Sequence, residues 1–161
     1  AIVKKRIPNI KLVVAGDGPE MENLKNLAQL TGVLENVVFK GNVSRAETWQ
    51  LRKQSSVYVL NSTYEGLPHV VLTSFSAMIP VIATDIPGTN EAVYHEKTGL
   101  LVKPEDDRAL ATAIERLLKD KSLSERLIEN AKNILETKFS WKVHLEKLEE
   151  ILKSVISKPI N

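Results

Sequence analysis

Short apolar runs alternate along this chain with stretches whose apolar residues recur every three or four positions. The runs are 11–15 (KLVVA), 37–39 (VVF), 57–60 (VYVL), 81–83 (VIA) and 99–102 (GLLV). They are continuous rather than alternating, which predicts strands covered on both faces. Between them, Met21, Leu24, Leu27 and Ala28 share one face of a helix that Gly32 closes. Ser44 with Glu47 three residues on is a capping-box pattern, opening a helix that reaches about Gln54. A further helix is expected to start near Pro68, with proline at its first helical position, where the missing amide would have no partner anyway. Residues 90–93 read as a short helical turn. Residues 1–8 read as the tail of a helix that Pro8 stops, with Lys4, Lys5 and Arg6 in its last turn.

The last third of the chain is helical throughout. Leu110, Ala113, Ile114, Leu117 and Leu118 form one face, and Leu123, Leu127, Ala131, Ile134 and Leu135 a second. A third helix, opened by Ser140, carries Trp141, Leu145, Leu148, Leu152 and Val155 in one stripe. Strands alternating with helices predict an α/β fold: a three-layer, doubly wound parallel sheet followed by C-terminal helices. No repeat, linker or low-complexity stretch divides the chain, so one domain over 1–161 is expected. Such sheets bind ligands beyond the carboxyl ends of their strands. The candidate walls are therefore the turns at 16–18, 41–43, 61–67 and 84–90.

Composition narrows the partners. Of 161 residues, 43% are hydrophobic, enough for a real core. The 22 basic and 20 acidic residues are interspersed and leave a net charge of +2, with no basic face for nucleic acid. Without cysteine there are no disulfides and no thiolate metal sites. No apolar run approaches the ~20 residues that cross a bilayer, and no signal peptide opens the chain. A cytoplasmic domain is the expectation.

The chemistry concentrates after the strand at 57–60. The turn Asn61-Ser62-Thr63-Tyr64-Glu65-Gly66 brings a carboxylate and several backbone amides to one strand end, just before a helix N-terminus. That combination suits a phosphate-bearing ligand. Glu65 followed by Gly66 reads as a binding residue rather than a turn former. His69, on the first helical turn, reads equally as surface or as a ligand contact. Other candidates have plainer readings. Gly16-Asp17-Gly18-Pro19 lacks the third glycine of a dinucleotide fingerprint and reads as a tight turn. Asp106 and Asp107 read as charge partners of a helix start, and His95 and His144 as solvated surface.

These same residues carry a family resemblance. Glu65-Gly66-Leu67-Pro68-His69-Val70-Val71-Leu72, followed by Pro80-Val81-Ile82-Ala83-Thr84-Asp85, resembles the donor-binding segment of retaining GT-B glycosyltransferases of group 1 (family 4). Val14-Ala15-Gly16-Asp17-Gly18-Pro19, Val38-Phe39-Lys40-Gly41, Thr98-Gly99-Leu100-Leu101-Val102 and Phe139-Ser140-Trp141 match in the family's order. The resemblance implies the C-terminal, Rossmann-like half of such an enzyme, which holds a nucleotide-diphosphate-sugar donor. It also implies that the chain is a fragment, because the N-terminal acceptor domain and the cations that neutralise the leaving diphosphate would lie upstream. By the same resemblance Glu65 contacts the donor sugar, orienting it rather than attacking it. The backbone of Gly66, Leu67, Pro68 (carbonyl only) and His69 meets sugar hydroxyls and phosphate, and Gly41 and Asn42 line the base. The acceptor would be a glycan or glycolipid, with any membrane contact peripheral.

Two positions depart from the pattern. Thr73 stands where the family has a second glutamate on the ribose, and a hydroxyl can accept one such bond rather than two. Met78 stands where the family has glycine. No Asp-x-Asp or histidine cluster appears, so no metal or other cofactor is expected, and helix N-terminal charge would stabilise the leaving group. Rival readings are a non-catalytic nucleotide-sugar-binding or regulatory module, favoured only by Thr73, and a nucleotide-sugar epimerase, which would want more acid–base groups in the cleft. A receiver-type domain would want an aspartate where Asn61 and Ser62 stand.

Overall fold

The computed structural model describes residues 1–156, so the end of the single domain expected over 1–161 lies outside the described residues. In chain order the elements are α1 (Ile2–Arg6), β1 (Leu12–Ala15), α2 (Met21–Leu30), β2 (Val37–Gly41), α3 (Arg45–Gln54), β3 (Tyr58–Leu60) and α4 (His69–Ser76). There follow β4 (Val81–Thr84), α5 (Thr89–Ala92), β5 (Leu100–Val102), α6 (Asp107–Lys119), α7 (Lys121–Lys138) and α8 (Trp141–Ile156). A single 3₁₀ turn over Leu34–Asn36, not foreseen from the sequence, leads into β2.

Every strand pairing is parallel, as the alternation of elements requires. The strands hydrogen-bond as two sheets rather than the one expected: β1 with β2, and β3-β4-β5 in that order. Apolar runs specify strands but carry no information on which edges meet.

The core is built on β4. Val81, Ile82 and Ala83 are all 0% exposed, and successive side chains leave the strand on opposite faces. On one face Val81 and Ala83 pack with Val71 and Phe75 of α4, Ala92 of α5, Val93 and Ala131 of α7. On the other, Ile82 packs with Leu100 and Val102 of β5, Ala113 and Leu117 of α6, and Leu123 and Leu127 of α7. Helices therefore cover both faces, giving the three layers.

Caps fix the helix ends that border the strand termini. Ser44 accepts from the Glu47 amide while Glu47 accepts from the Ser44 amide, the full capping box. Asp106 caps α6 through the Ala109 amide (2.8 Å) and Asp120 caps α7 through the Leu123 amide (2.8 Å). Ser140 starts α8, its Oγ accepting from the Val143 amide at 3.3 Å. The α8 stripe exists, but none of its residues is buried; Trp141 is 79% exposed. No helix among the described residues is long and apolar enough to cross a membrane.

Helix α1 is tied to α6 by charge. The guanidinium of Arg6 lies 2.9 and 3.1 Å from the two oxygens of Glu115 on α6. Glu115 is only 7% exposed, and a carboxylate so buried requires a partner.

Candidate functional site

The chain leaves β3 at Leu60, turns through residues 61–68 and enters α4 at His69. Pro68 is not the first helical residue, as the sequence suggested, but the cap before it. Its ψ of 93° keeps it extended, and its carbonyl accepts the first helical bond from Val71 N at 2.9 Å. The amides of His69 and Val70 precede that bond, so they stand at the positive end of the helix with its partial charge undiminished. His69 and Gly66 are exposed, and a Cβ placed on Gly66 would meet nothing within 4 Å. Space is therefore open above the turn.

Glu65 is half-buried, and its Oε1 accepts a hydrogen bond from the Ser62 hydroxyl at 2.8 Å. Thr73 lies one turn into α4 and donates its hydroxyl proton to the His69 carbonyl at 2.8 Å. The threonine oxygen thus keeps its lone pairs for one further donor.

Two further groups come from the end of β4 and the turn to α5, within the candidate wall at 84–90, although the sequence singled out neither residue. The Thr84 hydroxyl, 1% exposed, donates to the Ser62 carbonyl. Gly88, at φ +88°, brings its backbone against the Glu65 and Gly66 carbonyls. The Pro87-Gly88 pair was a readable turn signal, but its target was not readable. A cleft of about 280 Å³ opens beside these groups, lined by Asn61, Ser62, Thr63, Thr84, Pro104, Glu105 and Asp107. The loop after β5 is a wall that the sequence reading left out. Glu65 borders this cleft only through Ser62.

Gly41 ends β2 and Asn42 follows it, so both belong to the carboxyl edge of the β1–β2 sheet, while Glu65 follows β3 of the other sheet. Gly41 adopts φ +61° and its carbonyl accepts from Gly16 N at 2.8 Å, so the two glycine turns after β1 and β2 are locked together. A cleft of about 270 Å³ follows, lined by Lys40, Val43, Ala46, Glu47, Gln50 and Leu51. The hydrogen bonds from Ser44, backbone first, hold the Glu47 carboxyl below the usual glutamate range. Asp17 accepts from Gly18 N at 2.8 Å, a tight turn as read. His95 is exposed, yet its Nδ1 accepts from Leu101 N at 3.0 Å and so braces β5. His144 stands edge-on to Trp141 on α8. No cluster of His, Asp and Glu suited to a metal ion occurs among the described residues.

Comparison with known proteins gives this arrangement its setting. The family model described as "Glycosyl transferases group 1" matches residues 1–134. The chain is 35% identical over 133 residues to an uncharacterized glycosyltransferase of Methanocaldococcus jannaschii, covering 83% of this chain and 34% of that protein. It is 36% identical over 138 residues to a lipopolysaccharide core biosynthesis glycosyltransferase of Rhizobium meliloti, covering 86% and 40%. Among solved structures, Anabaena HepE in complex with UDP superposes with a TM-score of 0.82 at 25% identity, over 91% of this chain and 42% of that one. The chain thus spans well under half the length of each. Its parallel α/β fold is the Rossmann-like domain of the GT-B glycosyltransferases, and the chain belongs to the group 1 glycosyl transferase family.

Proposed function

We propose that residues 1–161 form one donor-binding domain of a glycosyltransferase that moves a sugar from a nucleotide-diphosphate donor to an acceptor glycan or glycolipid. The observation that carries this reading is the turn at 65–70: a carboxylate held by Ser62, open space over Gly66, and the leading amides of α4 beside it. A nucleotide-sugar offers matching chemistry, hydroxyls that donate to Glu65 and a diphosphate that accepts from amides at a helix N-terminus. That a structural relative was crystallised with UDP, and that a sequence relative is named for lipopolysaccharide core biosynthesis, supports the same substrate class.

In this reading Glu65 orients the sugar, and the backbone of Gly66, Leu67, Pro68 and His69 contacts sugar and phosphate. Gly41 and Asn42 line the base. Thr73 accepts one ribose hydroxyl, its own proton being committed to the His69 carbonyl. Breaking the anomeric C–O bond places negative charge on the leaving diphosphate, and the α4 N-terminus stabilises it as it grows. We assign no metal to that step, and we assign attack to the face the leaving group departs from, with retention of anomeric configuration. Acceptor recognition and further cations on the diphosphate fall to the rest of the intact protein, placed in the cytoplasm with at most peripheral membrane contact.

Calorimetric titration of the chain with UDP, GDP and ADP, then with their sugar conjugates, tests this reading. One nucleotide is expected to bind saturably and its conjugate more tightly. Glu65→Ala is expected to remove the added affinity, a loss of about 1.5–3 kcal/mol or at least tenfold. Equal binding of conjugate by wild type and Glu65→Ala would refute the role of Glu65.

A further inference from the structure

Nothing in the donor-binding reading accounts for how so short a turn holds Glu65 in place. The turn at 61–67 contains no regular element, its residues are mostly exposed, and a flexible carboxylate would orient nothing. What fixes it comes from the carboxyl end of β4, the strand that runs parallel beside β3. Thr89 is 0% exposed, and its hydroxyl proton lies between the Thr84 and Ile86 carbonyls while its oxygen accepts from Ile86 N at 3.3 Å. This knots the chain just after β4. Thr84, held at the edge of that knot, donates to the Ser62 carbonyl, and Ser62 in turn donates from Oγ to Glu65 Oε1 at 2.8 Å.

Steric contact reinforces the hydrogen bonds. A Cβ on Gly88 would fall far inside contact with the Glu65 and Gly66 carbonyl oxygens and 2.9 Å from the Gly66 carbonyl carbon. Gly88 also sits at φ +88°, where side chains are strained. Both constraints point to one residue type, and the atoms it makes room for are the backbone of the candidate binding turn. Gly66, by contrast, has free space where a Cβ would go.

We propose that the β4–α5 turn is a template for the binding turn, with Thr84 and Gly88 as positioning residues that set Glu65 and the Gly66 peptide through Ser62 and direct backbone contact. Neither needs to touch the ligand. This inference rests on the donor-binding reading for its consequence, but its structural half stands without it.

The test compares Thr84→Val, which keeps shape and removes the donated bond, with Gly88→Ala and with a control, Gly99→Ala. A Cβ on Gly99 is also obstructed, 2.7 Å from the Val81 carbonyl oxygen and 2.9 Å from Val93 Cγ1, but its neighbours belong to the core. Two quantities are read on each folded variant: amide shifts and hydrogen exchange of residues 62–69, and affinity for UDP against UDP-glucose, or for the GDP or ADP pair where wild type binds that nucleotide instead. Thr84→Val and Gly88→Ala are expected to move the amides of 62–69, speed their exchange, and cut the UDP-glucose preference roughly tenfold, with UDP affinity, shared with the Gly41–Asn42 turn, falling less. Gly99→Ala is expected to lower stability and leave both readouts unchanged. Unmoved amides at 62–69 in Thr84→Val would overturn the template, as would equal disturbance there by Gly99→Ala. Should wild type show no preference for the sugar conjugate, the substrate reading fails, and the amide shifts alone decide the template.

Discussion

The two sheets of this chain are made from the same kind of sequence and are buried to opposite degrees. LVVA of β1 and VIAT of β4 are both short aliphatic runs, each entering a turn that leads to a helix. Every residue of β4 is buried, whereas Leu12 and Val13 of β1 are 54% and 39% exposed. The helices repeat the contrast: α4 buries Val71, Ser74 and Phe75, while α2 buries only Ala28 and leaves Leu27 half in solvent. Hydrophobicity fixes what can be buried; connectivity decides what is. The candidate binding turn belongs to the buried half, anchored by β4, and this rigidity is what a site needs to hold a substrate in one pose.

The largest expected effect breaks the comparison if it fails. Phe75→Ala should destabilise the chain by about 3–5 kcal/mol, because a fully buried aromatic leaves a cavity that neighbours on β4 cannot close. Leu27→Ala, on the exposed face of α2, should cost about 0.5 kcal/mol or less. Both are read from denaturant midpoints. Equal losses would mean that the β1–β2 half carries as much of the core as the β4 half.

A gain of stability is expected at Met78. It closes α4 at φ +58°, its amide donating to Phe75 O at 3.0 Å and the Ile79 amide to Ser74 O at 3.4 Å. This is the helix stop in which glycine fits best. The backbone takes the left-handed turn that glycine adopts without strain and carries a methionine in it, a substitution the structure does not explain. Met78→Gly should stabilise the buried half by about 1 kcal/mol, with no change in the β1–β2 amides by NMR.

An effect of similar size belongs to the exposed half and depends on pH. The Ser44–Glu47 box lowers the Glu47 pKa in the folded state. Its contribution is therefore complete above the ordinary value of 4.5 and fades as pH falls through the lowered folded value. Ser44→Ala should cost about 1 kcal/mol at pH 7 by denaturant titration, and the difference from wild type should shrink toward pH 3. A difference that stays constant across this range would mean that the carboxylate is not part of the cap.

What was legible in the sequence follows the reach of each signal. The capping box, the Gly32 helix stop and the face of α6 are set within a few residues, and they stand where the pattern put them. Gly32 closes α2 with its amide on Gln29 O and that of Val33 on Ala28 O. Pro68 fell one residue off because proline satisfies either position, and only its ψ separates cap from helix. The pairing of strands, the 3₁₀ turn before β2 and the wall after β5 depend on contacts far apart in sequence. Gly88 is the clearest case. The sequence drew attention to Gly66, yet the glycine without an alternative is 22 residues later, where it meets that same turn.

The central claim is that a nucleotide-sugar sits on the turn from Glu65 into α4. Mapping amide shifts of the ¹⁵N-labelled chain during a UDP-glucose titration tests it most directly, with GDP and ADP sugars in parallel. The account predicts saturable shifts largest at Gly66, Leu67, His69 and Val70, with a second set at Gly41 and Asn42. Saturable shifts elsewhere with those amides unmoved, or no response to any of the donors, would contradict it.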